Sequence, residues 1–246
     1  MVMKGGTLMA IRYGSSRFTK DIDFSTTRKF ENVDIEDLLR ELSIAIDGVS
    51  SDNEYGLALR LQSHVLQPSN NPKPTFPTLR IRIGYTSRTS PRHLARLTGE
   101  GSTNIVLVDY SFNEWDFSPD LEIVDGGTIA TYSFHDLVAE KLRSILQQPI
   151  RRRERFQDIY DIALLLRCNT EITKDDRNRI LQNLRKSVEG RNVPLDKIAM
   201  QNPEIERLSK EGYEEQLPDL VSGDLPKFDD AFSTVVEFFE SLPWDE

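Results

Sequence analysis

The sequence contains one cysteine, two tryptophans and no apolar run close to the ~18 residues that a membrane-spanning helix needs. A single cysteine excludes an internal disulfide and any cysteine-rich zinc site. Cys168 lies in the apolar run IALLLRC, which predicts a reduced thiol in or near the core. No signal-peptide pattern opens the sequence, so we expect a cytoplasmic protein that has no membrane partner.

Basic side chains are also in deficit, since 31 Lys and Arg stand against 40 Asp and Glu, a net charge of -9. The excess of acidic residues lies at the end of the chain, where residues 201–246 carry 13 acidic and 3 basic side chains. Residues 1–200 carry 27 acidic and 28 basic side chains and are therefore nearly neutral. The overall charge therefore does not exclude a nucleic-acid partner. Basic clusters at residues 80–96 and 151–155 are either candidates for such contacts or solvated faces.

Hydrophobic periodicity predicts a mixed α/β protein, with an α/β part over residues 1–130 and a helical part over residues 131–246. Ser133 and Asp136 have the spacing of a capping box at the start of the first helix in the second part. Alternating residues predict strands at 21–25, 78–86 and 104–112. Helical spacing predicts helices at 4–14, 33–49, 134–148, 154–167, 174–188 and 228–242.

Two aspartates alternate within the predicted strand DIDFS. Positions i and i+2 of a strand point to the same side about 7 Å apart. Asp21 and Asp23 therefore share one face, while Ile22 and Phe24 pack on the other. Carboxylates this close repel each other unless a cation lies between them, and Mg²⁺ prefers such ligands. An exposed edge strand with two solvated aspartates would give the same pattern.

A further carboxylate and a lysine occupy positions where apolar residues are expected. Asp109 follows the apolar run IVLV, where it either requires a cation or donors or belongs to the exposed end of the strand. At ~100° per residue, Lys141 falls between Leu137 and Val138 in an apolar helical stripe. Its ammonium group either extends to the surface or meets a buried anion.

Asp158 and Asp161 lie at i and i+3 of a predicted helix, on the side that Leu165 continues. These carboxylates therefore approach apolar surroundings. The simplest interpretation is that they form ion pairs with the basic segment at residues 151–155.

The order of these motifs resembles the AbiEii/AbiGii toxin family of nucleotidyltransferases, which belongs to the DNA polymerase β-like nucleotidyltransferase superfamily. Four motifs carry the resemblance: KGGT at residues 4–7, RFTKDIDF at 17–24, AEKL at 139–142 and QDIYD at 157–161. The similarity covers roughly residues 3–167. Thr19 stands where the family usually has serine, and Gln157 where it usually has a basic residue.

The resemblance implies a small mixed-sheet nucleotidyltransferase core followed by a helical region that contributes Lys141 and Asp158 to the site. The metal ligands that it implies are Asp21, Asp23 and Asp109, which would hold Mg²⁺, or Mn²⁺ in its place. The catalytic residues that it implies are Asp21, Asp23, Lys141 and Asp158. The nucleotide-binding residues that it implies are Lys4, Gly5, Gly6, Thr7, Arg17, Thr19, Arg82 and Asp161.

The activity that the resemblance implies is transfer of a nucleoside monophosphate from an NTP to an acceptor hydroxyl. The acceptor would be the 3′ end of a tRNA or another RNA, and the protein would be the toxin of a toxin–antitoxin pair with a cognate antitoxin as partner. Arg80, Arg82 and the segment 151–155 would then contact RNA phosphates. A protein hydroxyl as acceptor, and a non-catalytic protein that binds a nucleotide or a partner, are the alternatives.

Overall fold

The computed structural model describes residues 1–71, 73–99, 101–102, 104–115 and 118–245. The chain forms two compact units: unit 1 is Lys20–Glu114 together with Met1, and unit 2 is Val2–Thr19 together with Trp115–Glu246. Strands and helices both occur, which confirms the predicted mixed α/β class. The domain boundary predicted near residue 130 stays a prediction.

The strands are β1 (Val2–Lys4), β2 (Asp21–Ser25), β3 (Leu57–Gln67), β4 (Thr78–Ser87), β5 (Ile105–Ser111), β6 (Asp120–Val124) and β7 (Gly127–Thr131). The helices of the first 100 residues are α1 (Gly5–Tyr13), α2 (Ile35–Ser51) and α3 (Pro91–Thr98). The later helices are α4 (Phe134–Leu146), α5 (Gln148–Arg151), α6 (Phe156–Cys168), α7 (Lys174–Val188), α8 (Pro203–Glu215) and α9 (Phe228–Glu240).

Unit 1 contains a mixed sheet whose strands lie in the order β3, β4, β5 and β2. β4 runs antiparallel to both β3 and β5, whereas β2 runs parallel to β5. The helix α2 packs on β3, and α3 packs on β3 and β4. The Asp34 side chain caps the start of α2 by accepting hydrogen bonds from the backbone N–H groups of Glu36 and Asp37.

The register of this sheet separates an apolar face from a charged face. Phe24 lies beside Tyr110, which lies opposite Leu79, and all three side chains are buried. Because side chains alternate along a strand, the next row points to the opposite face. That row contains Asp23 beside Asp109, which lies opposite Arg80.

Unit 2 combines a short sheet with the helical part of the chain. β1 runs parallel to β7, and β7 forms an antiparallel hairpin with β6. From Phe134 onward the regular elements of the described residues are helical, as the sequence predicts. α4 begins at the predicted capping box, since Ser133 accepts from the Asp136 backbone N–H and Asp136 accepts in return. It packs against α6 and α7, while α6 also packs against α8 and α9.

The predicted strands and helices are found, but β1, β3, α3, α5, β6, β7 and α8 are not among the sequence predictions. Cys168 is a free thiol, as predicted, but the predicted burial is wrong, because this side chain is exposed. Cys168 is the last residue of α6 and lies beyond the buried positions Leu164 and Leu165. In the described part of the chain, no helix combines the length and the apolar character needed to cross a membrane.

Gly212 of α8 allows close packing against α6. A Cβ atom at this position would overlap the ring of Phe156, which is itself buried.

We therefore expect Gly212→Ala to lower the free energy of unfolding by about 1–3 kcal/mol through overpacking. Gly48→Ala in α2 is the control, because its Cβ meets no described atom within 4 Å. It should raise stability by about 0.5–1 kcal/mol. Urea unfolding of both variants measures the difference, and equal effects would contradict the packing argument.

Candidate functional site

Three aspartates of unit 1 form what we call the carboxylate triad: Asp21 and Asp23 on β2, and Asp109 on β5. One carboxylate oxygen from each residue lies within 4.8 Å of the others. All three side chains are partly buried, at the charged face of the sheet. The parallel pairing of Asp23 with Asp109 brings the triad together, so residues 86 positions apart in the chain share one site.

Arg80 of β4 is bound to one member of the triad. Its Nε donates to Oδ1 of Asp109 at 2.7 Å, and its Nη2 donates to Oδ2 at 2.6 Å. This hydrogen bonding to Asp109 raises the pKa of Arg80, while burial acts against the rise. Arg82, the next residue on the same face, is exposed. Asp109 is therefore not a solvated strand end, and it has a charged donor of its own.

The triad has the chemistry of a divalent-metal site. Carboxylate oxygens are the ligands that Mg²⁺ and Mn²⁺ prefer, and three of them converge within the reach of one ion. Asp109 keeps acceptor capacity besides its two bonds to Arg80, because each carboxylate oxygen has two lone pairs. The donor set therefore fits the predicted cation.

Unit 2 contains a second charged group, which we call the Asp161 cluster: Arg17, Lys141, Asp158 and Asp161. Lys141 Nζ donates to Oδ2 of Asp161 at 2.6 Å and to Oδ1 of Asp158 at 3.1 Å. Arg17 Nε and Nη2 donate to the two oxygens of Asp161 at 3.1 and 2.8 Å. The four side chains are buried, and Asp161 is inaccessible to solvent.

Ion pairing holds Asp161 and Lys141 in their charged forms. Burial alone would raise the pKa of Asp161, but the charges of Lys141 and Arg17 outweigh it, and the pKa of Asp161 lies below its usual value. Burial alone would lower the pKa of Lys141, but Asp161 and Asp158 outweigh it, and the pKa of Lys141 is raised. The cluster is therefore a network of ions, in which each charge is compensated by a neighbour.

Two alternatives from the sequence are thereby wrong. Lys141 does not extend to the surface, because it is buried against carboxylates. Asp158 and Asp161 bind Lys141, and Asp161 also binds Arg17, rather than the basic segment at residues 151–155. The helical face predicted from the i, i+3 spacing is correct, but the partners come from distant parts of the chain.

The KGGT motif meets the helix that carries Lys141. Lys4 Nζ donates to Oε1 of Glu140 at 2.7 Å, and both groups are largely buried. Burial opposes ionisation of Glu140, but the charges of Lys4 and Arg143 prevail, and its pKa is lowered. Glu140 has no role in the sequence prediction, although it lies in the AEKL motif. Its position directly before Lys141 is the signal that could have identified it.

Gly5 and Gly6 open α1 and have different structural requirements. Gly5 has φ of 71°, a left-handed conformation that glycine adopts without strain. A Cβ at Gly6 would lie 2.8 Å from Oγ1 of Thr19 and 3.0 Å from Nη2 of Arg17. Gly6 therefore allows the segment that carries Arg17 and Thr19 to approach the start of α1 closely, and Thr7 follows in the same helical turn.

Residues 1–235 match the family described as nucleotidyl transferase AbiEii toxin of type IV toxin–antitoxin systems. The chain belongs to the AbiEii family. AbiEii membership makes it a nucleotidyltransferase-type protein of a toxin–antitoxin system and confirms the resemblance seen in the four motifs. The match extends well past residue 167, where the similarity recognised in the sequence ends.

Two solved structures share the fold of this AbiEii protein. One is JHP933 from Helicobacter pylori, with a TM-score of 0.53, 14% identity, and coverage of 97% of this chain and 83% of that one. The other is a candidate nucleotidyltransferase from H. pylori, with a TM-score of 0.50, 14% identity, and coverage of 98% and 86%. At this identity the likeness concerns the fold alone. None of the curated proteins matches the sequence.

Removing the charge of Asp161 should destabilise the protein strongly. In Asp161→Asn, Arg17 and Lys141 would keep a neutral amide in place of their shared buried anion. We expect the free energy of unfolding to fall by about 3–5 kcal/mol, the usual cost of breaking a buried pair. Asp224→Asn, at an exposed position, is the matched control and should change it by less than about 0.5 kcal/mol. Denaturant unfolding at neutral pH compares the two, and a small effect at Asp161 would contradict the assignment.

The same carboxylate should contribute to the acid dependence of stability. Its pKa in the folded protein lies below the ordinary value of 3.8, so its stabilising effect is complete above that value. The effect is lost as the pH falls through the lower pKa of the folded state. Below about pH 5, the free energy of unfolding should therefore fall less steeply with decreasing pH in Asp161→Asn than in the wild type. Unfolding curves at a series of acidic pH values test this, and identical slopes would contradict it.

Proposed function

We propose that this AbiEii protein transfers a nucleoside monophosphate from an NTP to an acceptor hydroxyl with the help of Mg²⁺, or of Mn²⁺ in its place. The observation that carries the proposal is the carboxylate triad, whose oxygens converge within 4.8 Å. Membership of a nucleotidyltransferase family supports the class of reaction. In this proposal Asp21 and Asp23 are the main metal ligands and Asp109 is the third.

The bound cation would neutralise the charge that develops on the transferred phosphoryl group. Asp21, Asp23 and Asp109 would hold it through oxygens that the sheet fixes in place. Because β2 and β5 are neighbouring strands, these ligands need little rearrangement to share one ion. Rigid elements of this kind suit a reaction in which positioning and electrostatics supply most of the catalysis.

In the same proposal, the KGGT motif and the segment before β2 bind the nucleotide. The backbone amides at Gly5 and Gly6 lie in the first turn of α1, where helix N–H groups favour phosphate. The remaining residues proposed to bind the nucleotide are Lys4, Thr7, Arg17, Thr19 and Arg82, and Asp161, which is inaccessible to solvent, would act on the nucleotide through Arg17. The contacts of Arg17 with Asp161 support this grouping, because Asp161 fixes the position of its guanidinium.

Lys141 and Asp158 are the other proposed catalytic residues. Lys141 would neutralise triphosphate charge, and Asp158 would orient its ammonium group. The bond of 3.1 Å between them supports this pairing. Lys141 could turn toward a phosphate oxygen without leaving Asp161 uncompensated, because Arg17 donates to both oxygens of that carboxylate.

We propose RNA as the acceptor, specifically the 3′ end of a tRNA, and a cognate antitoxin as the partner that opposes the activity. Exposed Arg82 on the face that carries the triad supports an RNA acceptor, because guanidinium groups bind phosphates well. The type IV toxin–antitoxin family supports the antitoxin. A cytoplasmic location is part of the same proposal.

The decisive experiment follows label from each of four α-³²P-NTPs into total RNA and total protein, with Mg²⁺ or Mn²⁺ present. We expect label to enter RNA and to map to tRNA 3′ ends after nuclease digestion. Label that enters protein instead would overturn the acceptor, and no transfer from any of the four would overturn the enzymatic proposal.

Asp21→Ala tests whether the triad carries the reaction. Loss of a metal ligand should reduce transfer by about a thousandfold or more, because the metal supplies several kcal/mol of charge stabilisation. The control is Asp37→Ala, which removes an exposed aspartate that pairs with Arg40 in the same unit. It should transfer label at the wild-type rate, and equal activity of both variants would contradict the metal assignment.

A further inference from the structure

Arg80 belongs to a cross-strand row that contains two members of the triad, Asp23 and Asp109. It lies directly opposite Asp109 in the antiparallel pair of β4 and β5, and Asp109 lies beside Asp23 in the parallel pair of β5 and β2. These three residues therefore form a row across three strands. Because the row is set by sheet register, Arg80 approaches Asp109 from the side opposite to β2.

The contact between Arg80 and Asp109 fixes the plane of the carboxylate. Nε and Nη2 each donate to a different oxygen, at 2.7 and 2.6 Å. Two parallel hydrogen bonds of this kind determine orientation as well as distance. A lysine, with a single ammonium group, cannot reproduce the arrangement.

The same contact leaves Asp109 able to bind a cation. Each carboxylate oxygen has two lone pairs, and the guanidinium group uses one on each. One oxygen of Asp109 converges within 4.8 Å with one oxygen each of Asp21 and Asp23, and it still has a lone pair that the guanidinium group does not use. Ligating carboxylates in metal sites are commonly held by such outer hydrogen bonds.

Arg80 could act on the triad through its charge or by orienting Asp109, and the two roles predict opposite changes in cation affinity when Arg80 is replaced. If Arg80 acted on the triad only through its positive charge, its removal would strengthen the binding of a cation. If it acts by orienting Asp109, its removal weakens that binding. The occupied donors at 2.7 and 2.6 Å favour orientation, and they leave the exposed Arg82 better placed than Arg80 to contact RNA phosphates.

We propose that Arg80 is a positioning residue, which holds Asp109 in the orientation needed to share a divalent cation with Asp21 and Asp23. This inference rests on the proposed function, since it takes the triad as the metal site. It gives Arg80 a role in the site that differs from the contact with RNA suggested by the sequence alone.

The experiment measures Mn²⁺ binding to the whole chain without nucleotide, from the loss of the free-Mn²⁺ signal in electron paramagnetic resonance. We expect the dissociation constant to rise by about 10- to 100-fold in Arg80→Gln, the usual effect of losing an outer hydrogen bond to a ligand. Arg80→Lys keeps the charge but not the paired hydrogen bonds, so it should also bind more weakly than the wild type.

Arg40→Gln is the matched control, because Arg40 pairs with Asp37 on the exposed surface of α2. It should bind Mn²⁺ as the wild type does, and circular dichroism checks that each variant is folded. Unchanged or tighter binding by Arg80→Gln overturns the inference while leaving the proposed function intact. If Arg80→Lys binds Mn²⁺ as tightly as the wild type, the orienting role is wrong and the charge alone is sufficient. If Arg80→Gln fails to fold, the affinity of Arg80→Lys for Mn²⁺ decides between orientation and charge. A wild-type protein that binds no Mn²⁺ overturns the triad itself.

Discussion

Unit 2 depends on one buried carboxylate, Asp161, because two distant segments of the chain each place a cation against it. Arg17 reaches Asp161 from a position 144 residues earlier, and Lys141 from 20 residues earlier. Both cations are buried beside this anion, and an uncompensated interior charge would cost several kcal/mol. The contact between α4 and α6 and the position of the segment before β2 are therefore set by the same group.

A buried ionic cluster is a costly way to join helices, because apolar residues of similar volume often give equal or greater stability. Its advantage here lies in the different strengths of its contacts. Among the described residues, Asp161 accepts paired hydrogen bonds from Arg17 at 3.1 and 2.8 Å and one from Lys141 at 2.6 Å, whereas the carboxylate of Asp158 accepts from Lys141 alone, at 3.1 Å. Asp158 is also slightly accessible to solvent. In the proposed reaction, a phosphate that draws Lys141 away would break its bonds to both carboxylates, at 2.6 Å to Asp161 and 3.1 Å to Asp158, but would leave Asp161 paired with Arg17.

The sequence predicts the residue types at the site better than their partners. The position of Lys141 in an apolar stripe predicts either an ammonium group that extends to the surface or one that meets a buried anion, and the spacing of Asp21 and Asp23 indicates a shared face. Helix and strand periodicity supply both expectations, because each depends only on near neighbours in the chain. The contact between Arg80 and Asp109 depends instead on the register of β4 against β5, which short-range patterns do not encode.

The strand β3, which the sequence analysis did not predict, shows a second limit of prediction from hydrophobic periodicity. Its first residues alternate with Leu57, Leu59 and Leu61, but the pairing with β4 shifts between Leu61 and Ser63. An irregularity of this kind moves later side chains to the other face, so strict alternation fails halfway along the strand. The pattern therefore falls into two short pieces, each too brief to indicate an eleven-residue strand.

The C-terminal region shows why the family extends beyond the recognisable motifs. The backbone N–H of Phe18 donates to the carbonyl oxygen of Leu220 at 2.8 Å, and that of Ser222 donates to the carbonyl oxygen of Ser16 at 3.1 Å. These bonds brace the segment that carries Arg17, yet they use backbone atoms that every residue except proline provides. Such a contact constrains the path of the chain rather than particular side chains. Residues near 220 can thus be structurally necessary to the Asp161 cluster while leaving almost no motif in the sequence.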